Sequence, residues 1–273
     1  MKVAIQGQEA SYHHLAAKQF FGNDIEILPC DTFKLAFKAI EENTAENAVI
    51  AIENSLYGAI SPVYDLLLKK RLWISGEVYL RVQHCLIGIA GSDINKLQEI
   101  YSQIMALAQC ENYLENNFAN AKHIEYHDTV ASVELVKKSG DKTKAAIASE
   151  GAAKLHKMEI LDKGIEDNKQ NFTRFLVLKK KPTKVANANK TSLILITSHQ
   201  PGSLYRALGV FDKYKINLSK LQSRPIKDKA WQYMFYIDVE CGLENTELTS
   251  ALSALEAQDC ETIVLGSYKS AKG

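Results

Sequence analysis

The chain reads as an α/β fold followed by a small α+β domain, and three observations predict this. Short apolar runs alternate with amphipathic helical patterns from residue 1 to about 179. A Lys-, Thr-, Ala- and Asn-rich stretch with Pro182 interrupts the pattern at 179–190. The residues after it follow the order βαββαβ. Alternating strands and helices argue for a sheet with much parallel pairing, and the βαββαβ order is the ferredoxin-like split unit.

The first strand is 3–6, followed by a helix at 11–21. A strand at 48–52 leads to a helix at 61–70, where Ser61 is a good N-cap and Pro62 suits the first turn. Residues 77–89 are strand-like, 95–99 make a short helix, and 100–102 is a strand leading to a helix at 106–116. Strand–helix pairs follow at 123–126 with 130–138 and at 145–149 with 151–157, and a strand at 175–178 closes the series. In the last domain, strands are expected at 192–198, 216–223, 231–240 and 262–267. Its helices are expected at 202–214, with Leu204, Leu208 and Phe211 on one face, and at 246–257.

Length and charge set limits. At 273 residues the chain suits about two domains of roughly 150 residues. Lys+Arg 33 against Asp+Glu 32 gives net charge +1, so no global charge argues for nucleic acid, and Lys179-Lys180-Lys181 reads as solvated linker. The five cysteines are scattered without a Cys-x-x-Cys pair, which signals neither a zinc site nor a redox motif and fits a reducing, cytoplasmic setting. The opening Met1–Ile5 is too short an apolar run for a signal peptide, and no apolar stretch approaches the roughly 20 residues of a membrane span. No nucleotide loop, metal-ligand spacing or nucleophile elbow is present, so no cofactor and no metal are expected.

The distinctive polar groups collect near strand ends, where open α/β sheets bind ligands. Gln6-Gly7, Glu53-Asn54-Ser55, Ser102, Asp128-Thr129 and Ser149 lie there, and Thr173-Arg174 precedes an apolar strand. Several stand just before a helix, whose free N–H groups favour an anion. Singly, Ser11, Ser55, Ser102 and Thr129 are ordinary caps. Together with the planar fork of Arg174 they suggest a cleft for a small polycarboxylate.

These islands carry a resemblance to prephenate dehydratase over essentially the whole chain. Gly7, Ser11 and Tyr12 stand where that family has Gly-Pro-x-Gly-Ser-Tyr-Ser, with Gln8, Ala10 and His13 departing from it. Glu53-Asn54-Ser55-Leu56-Tyr57-Gly58 and Asn171–Phe175 match its motifs, and Ser102, Gln109 and Cys110 match a third, in which 103–105 depart as Gln-Ile-Met. Pro201-Gly202-Ser203-Leu204 and Asn217–Pro225 resemble the two motifs of an ACT domain, which senses phenylalanine, with Gln222 in place of the usual Glu.

The resemblance implies a two-lobed catalytic domain at 1–180, like type II periplasmic-binding proteins, and an ACT domain at 191–268. Lobe one would take about 1–77 and 160–180, and lobe two about 78–159. It also implies decarboxylating dehydration of prephenate to phenylpyruvate, without cofactor, in a homodimer or homotetramer. Thr173, Asn54, Ser102 and Gln109 would be catalytic, with Thr173 assisting departure of the hydroxyl. Arg174, Ser55, Gly58, Ser11, Thr129 and Phe175 would bind substrate, Arg174 through the pyruvyl carboxylate. Phenylalanine would meet Gly202, Ser203, Leu204, Asn217, Leu218, Gln222, Ser223 and Arg224. A buried, protonated Glu53 is an alternative acid. Arogenate dehydratase and a non-catalytic sensor of small anions or amino acids are alternative functions.

Overall fold

The computed structural model describes residues 1–226 and 232–271. The chain opens with β1 (Lys2–Gln6), α1 (Tyr12–Phe21), β2 (Glu26–Cys30), α2 (Phe33–Glu41), β3 (Asn47–Asn54) and β4 (Gly58–Ala59). Helix α3 (Ser61–Lys70) and β5 (Trp73–Arg81) follow. A second run comprises β6 (Cys85–Gly88), β7 (Glu99–Ser102), α4 (Ile104–Ala108), α5 (Glu111–Phe118) and β8 (Lys122–Glu125). It continues with α6 (Thr129–Ser139), β9 (Lys144–Ala148), α7 (Glu150–His156) and β10 (Glu159–Lys163). Strand β11 (Phe172–Lys179) belongs again to the first sheet, whose order is β2-β1-β3-β11-β5 with β4 on β3. The second sheet has the order β10-β6-β9-β7-β8.

Parallel pairing is present in both sheets. Strand β1 runs parallel to β2 and β3, and β7 runs parallel to β8 and β9. Strand β6 pairs antiparallel with β9 and β10. The return from the second sheet therefore comes after β10, later than the boundary near 160 that the resemblance implies. The strand-like stretch 77–89 divides in two, because β5 ends at Arg81 and β6 starts at Cys85. The helix expected at 106–116 breaks at Gln109–Cys110, and Asp167 caps α5 by accepting from the N–H groups of Asn112 and Tyr113 at 2.9 and 3.0 Å. Thr173 and Arg174 lie inside β11 rather than before it.

The last domain consists of β12 (Lys190–Ile196), α8 (Ser203–Lys213), β13 (Leu218–Pro225), β14 (Tyr233–Val239), α9 (Thr246–Glu256) and β15 (Glu261–Tyr268). Its antiparallel sheet has the order β13-β14-β12-β15, which is the βαββαβ topology. The strand expected from 231 begins at Tyr233, and residue 231 lies outside the described residues. Helix α8 buries Ser203, Ala207, Val210 and Phe211, so Leu204 and Leu208 flank the core face rather than centre it.

Packing divides the chain into two compact units. One contains Met1–Ser61 and Val78–Phe175, and the other contains Pro62–Glu77 and the described residues from Leu176 onward. All five cysteines are free thiols. No helix among the described residues is long and apolar enough to cross a membrane.

Candidate functional site

A cavity of about 410 Å³ in the first unit is lined by residues of both its sheets. Gln6 at the end of β1, Asn54 at the end of β3, and Thr173 and Phe175 on β11 face it from the first sheet. His84, Gln103, Gln109, Asp128 and Thr129 face it from the second. Its size suits a small ligand. No Lys or Arg is among the lining residues, so its polarity comes from amides, hydroxyls, imidazoles, one carboxylate and helix ends.

The Asn54–Thr173 pair has a fixed proton order. Asn54 Oδ1 accepts from the N–H groups of Leu56 and Tyr57 at 2.9 and 3.1 Å, which orients the amide. Its Nδ2 then donates to Asn171 Oδ1 at 2.7 Å and to Thr173 Oγ1 at 3.0 Å. Both amide hydrogens are used, and Thr173 is the acceptor of one. Its own hydroxyl proton is left to donate, and accepting a bond makes that hydroxyl the stronger donor. Ser55 supports the arrangement from behind: its Oγ donates to Gln170 O and accepts from Phe172 N–H, both at 2.9 Å, fastening the end of β3 to the start of β11.

Helices α1 and α6 begin at the cavity, as does the five-residue α4, whose N-cap Gln103 makes no side-chain cap bond. Ser11 caps α1, its Oγ accepting from His14 N–H, so the first-turn N–H groups of Tyr12 and His13 are the unbonded end of that helix. Asp128, not Thr129, caps α6: its Oδ1 accepts from Val130 and Ala131 N–H at 2.8 and 3.0 Å. The α6 donors are thus engaged by a carboxylate, so of these two longer helices α1 offers the better end for an anion. The loop before α1 departs from the family pattern at Ala10, whose φ of 65° lies in the left-handed region that favours glycine. That backbone is held on both sides: Ala10 N–H donates to His14 Nδ1 at 2.7 Å, and Ala10 O accepts from Ser149 Oγ at 2.8 Å.

Four imidazole contacts complete the wall. His13 Nε2 accepts from Ala51 N–H at 3.1 Å, and burial pushes its pKa down to about 3. Its ring stands edge-on to Phe175 at 5.1 Å. His84 lies between Tyr12 Oη, 3.1 Å from Nδ1, and the Gln109 side-chain amide, 2.6 Å from Nε2. Burial pushes the His84 pKa down as well.

The structure gathers Ser11, Asn54, Gly58, Gln109, Thr129, Thr173 and Phe175 around one cavity. Ser55, Ser102 and Arg174 are not among its lining residues. Ser102 is fully buried, and its Oγ donates to Ile147 O at 2.7 Å, joining β7 to β9. Arg174 is buried between two cavity-facing residues of a strand, and alternation turns its side chain to the opposite face. From sequence His84 has no part in the site, Tyr12 and His13 are named only at the first motif, and Asp128 is named only among the strand-end polar groups. Asp128 carried a readable signal, an Asp just before a helical run, whereas nothing local marks His84.

In the second unit a cavity of about 370 Å³ is lined by 197–200, by Gly202, Ser203, Leu204 and Tyr205, and by Gln232, Tyr233 and Phe235. Gly202, with φ 79°, turns the chain into α8. Asn217, Leu218, Gln222, Ser223 and Arg224 do not line it, because β14 separates β13 from β12. Arg224 is instead ion-paired with Asp65 at 2.8 Å, and Asn217 Nδ2 donates to Glu240 Oε2 at 2.8 Å.

An α/β region of two sheets around a polar cavity, followed by a ferredoxin-like domain with its own pocket, is the architecture of a small-molecule enzyme with an appended small domain. Residues 3–183 match the family model described as prephenate dehydratase, and 191–257 match the ACT domain. The chain belongs to the prephenate dehydratase family. It is 37% identical over 271 residues to a bifunctional chorismate mutase/prephenate dehydratase of Aquifex aeolicus, covering 99% of this chain and 74% of that protein. It is 38% identical over 280 residues to arogenate dehydratase/prephenate dehydratase 2 of Arabidopsis thaliana, covering 98% and 72%. A solved prephenate dehydratase from Arthrobacter aurescens in complex with L-Phe has the same fold, with TM-score 0.89, 24% identity and coverage of 98% and 90%. A solved structure described as a new type of quorum-quenching acylase matches with TM-score 0.89, 32% identity and coverage of 100% and 99%.

Proposed function

We propose that the cavity of the first unit converts prephenate to phenylpyruvate, water and carbon dioxide. Two bonds break, one from the ring to its carboxylate and one from the ring to its hydroxyl. The electron pair of the first fills the ring as the second departs, so aromatisation drives the step. The hydroxyl departs with the electron pair of its own bond to the ring, stabilised by a donated hydrogen bond, and takes one proton from solvent to become water, so the overall step consumes one proton.

The observation that carries this reading is the proton order at Thr173. Asn54 occupies the lone-pair side of the hydroxyl, so the Thr173 proton is available to the leaving oxygen. A threonine hydroxyl supplies a hydrogen bond here rather than a full proton. Phe175 offers an apolar wall to the substrate ring, and the α1 N-terminus offers donors to a carboxylate. Gln109, Thr129 and Gly58 shape the rest of the pocket. Ser55 and Ser102 act by holding β3 to β11 and β7 to β9.

Amide hydrolysis, the activity suggested by the acylase name of one structural relative, needs a nucleophile paired with a base. Among the described residues no hydrogen bond runs from the Ser11 or Thr173 hydroxyl to an imidazole or carboxylate; each oxygen only accepts, from a backbone N–H and from an amide. The described hydrogen bonds of the cavity therefore favour dehydration. An absorbance assay of the purified chain with prephenate, and in parallel with arogenate, tests the proposal. Phenylpyruvate formation by the wild type is expected, and its absence would remove the reading.

Phenylalanine, in this proposal, is the effector of the second unit, seated against the 202–204 turn and the N-terminus of α8. The β13 residues Asn217, Leu218, Gln222, Ser223 and Arg224 would complete the site from a second copy in a dimer or tetramer, in the cytoplasm. Gly202→Val places a branched side chain at φ 79° with Arg206 Nη1 already 2.9 Å from an added Cβ. Phenylalanine inhibition should vanish while kcat stays within about twofold of wild type. Persistent inhibition would place the effector elsewhere.

A further inference from the structure

We propose that His84 is a positioning residue: held as the neutral Nδ1–H tautomer by Tyr12, it turns the Gln109 amide so that its carbonyl oxygen, not its NH₂, faces the substrate.

The argument starts at a main-chain carbonyl. Tyr12 Oη lies 2.7 Å from Gln83 O, an oxygen that can only accept. Two oxygens at that separation need a proton between them, and the phenol carries the only one. Burial keeps that phenol protonated, holding its pKa well above the ordinary value. Tyr12 therefore donates to Gln83, and its lone pairs face His84 Nδ1 at 3.1 Å. Nδ1 must carry a hydrogen to make that bond.

The opposite ring nitrogen decides the amide. Gln109 Oε1 stands 2.6 Å from His84 Nε2, and an amide oxygen also only accepts. That placement demands a second ring proton and hence an imidazolium. Burial opposes the charge. The nearest carboxylate, Glu166, does not compensate for it. Its Oε2 accepts from the His84 backbone N–H at 2.9 Å, and its Oε1 lies 3.4 Å from Arg81 Nη2 and 3.7 Å from Lys169 Nζ. Rotating the Gln109 amide by a half-turn removes the conflict, because NH₂ then donates to bare Nε2. Oxygen and nitrogen of an amide are assigned by such partners. Every group in the chain Gln109, His84, Tyr12, Gln83 is then satisfied without a buried charge.

The consequence falls on the cavity that Gln109 lines. An acceptor there takes the hydrogen of a substrate hydroxyl and directs its lone pairs elsewhere. Thr173, whose proton is unspent, is the complementary donor. The two residues together orient a hydroxyl for departure, which NH₂ at the same position would not do. This functional half rests on the dehydratase reading, and the tautomer does not.

The test is ¹⁵N NMR of the full-length protein labelled at histidine, with the His84 signals assigned by their loss in His84→Gln. A pyrrole-like shift at Nδ1 and a pyridine-like shift at Nε2 at neutral pH are expected. Two protonated nitrogens, or an Nε2–H tautomer, would overturn the assignment. Tyr12→Phe then removes the acceptor at Nδ1, so the spectrum should show the second tautomer. With that change kcat should fall about tenfold while KM stays within about twofold, the loss expected of one neutral hydrogen bond. An unchanged kcat alongside the changed tautomer would sink the positioning role. Wild-type protein that does not consume prephenate would sink the dehydratase reading instead, and the tautomer measurement would still judge the inference.

Discussion

At the scale of single residues, the motif stretch around Thr173 was readable because its chemistry is local: a hydroxyl beside a strand, preceded by an amide. The direction of the hydroxyl proton was not, since it depends on Asn54, more than a hundred residues away in sequence. Thr173→Ala should lower kcat by roughly 100-fold with a smaller change in KM, while Thr173→Ser, which keeps the oxygen, should recover much of it. Steady-state kinetics within twofold of wild type for the alanine variant would remove Thr173 from the reaction. His13 offers a prediction of stability. Its pKa is lowered from the ordinary 6.5 to about 3, so below pH 6.5 the unfolded chain binds a proton that the folded chain refuses. Stability is therefore lost as pH falls from about 6.5 towards 3, by at most about 1.4 kcal/mol per unit from this group. Urea titrations should show the gap between wild type and His13→Asn narrowing across that range. A gap independent of pH would mean His13 is protonated in the fold.

At the scale of elements, legibility followed sequence pattern. The helix at 61–70 and the alternating strands of the last domain announced themselves by caps and periodicity. Strand β2 and helix α2 are not among the elements that the sequence pattern predicts. Pro29 inside β2 argues against a strand, and is tolerated because β2 lies at the edge of its sheet. Helix α2 is short, although it buries Ala36, Phe37, Ala39 and Ile40 behind the Thr32 cap. The same two-residue period that makes β11 recognisable also decides Arg174. Reading Thr173 and Arg174 as one anion-binding pair ignored that neighbours on a strand face opposite ways. Arg174→Lys should accordingly lower the melting temperature, since the position is buried, and leave the substrate dissociation constant within about twofold. A large loss of affinity at unchanged stability would return Arg174 to the substrate.

At the scale of the molecule, composition and packing place the division differently. The Lys- and Asn-rich stretch near 180–190 looks like a linker because it lacks an apolar period. Yet Pro62–Glu77 packs in the same unit as the βαββαβ domain, through contacts that no local pattern displays. The Tyr236 hydroxyl donates to Tyr64 O, and an added Cβ on Gly266 would collide with Ile74 O. Lys190 Nζ binds both oxygens of Glu77 at 3.0 Å and lies 3.9 Å from Asp238 Oδ2, with all three side chains almost fully buried. A chain cut at 180 would strip these partners from Tyr64, Ile74 and Glu77, so full-length variants are the sounder probe of regulation. The ion cluster makes the dependence measurable. Lys190→Met removes the cation between two buried carboxylates, and breaking such a group by deleting one partner costs about 3–5 kcal/mol. Lys190→Met with Glu77→Gln removes one of the stranded charges and should regain part of that loss. Chemical denaturation of the full-length proteins decides the matter: a single variant within about 1 kcal/mol of wild type would show that the cluster contributes no more than a surface pair.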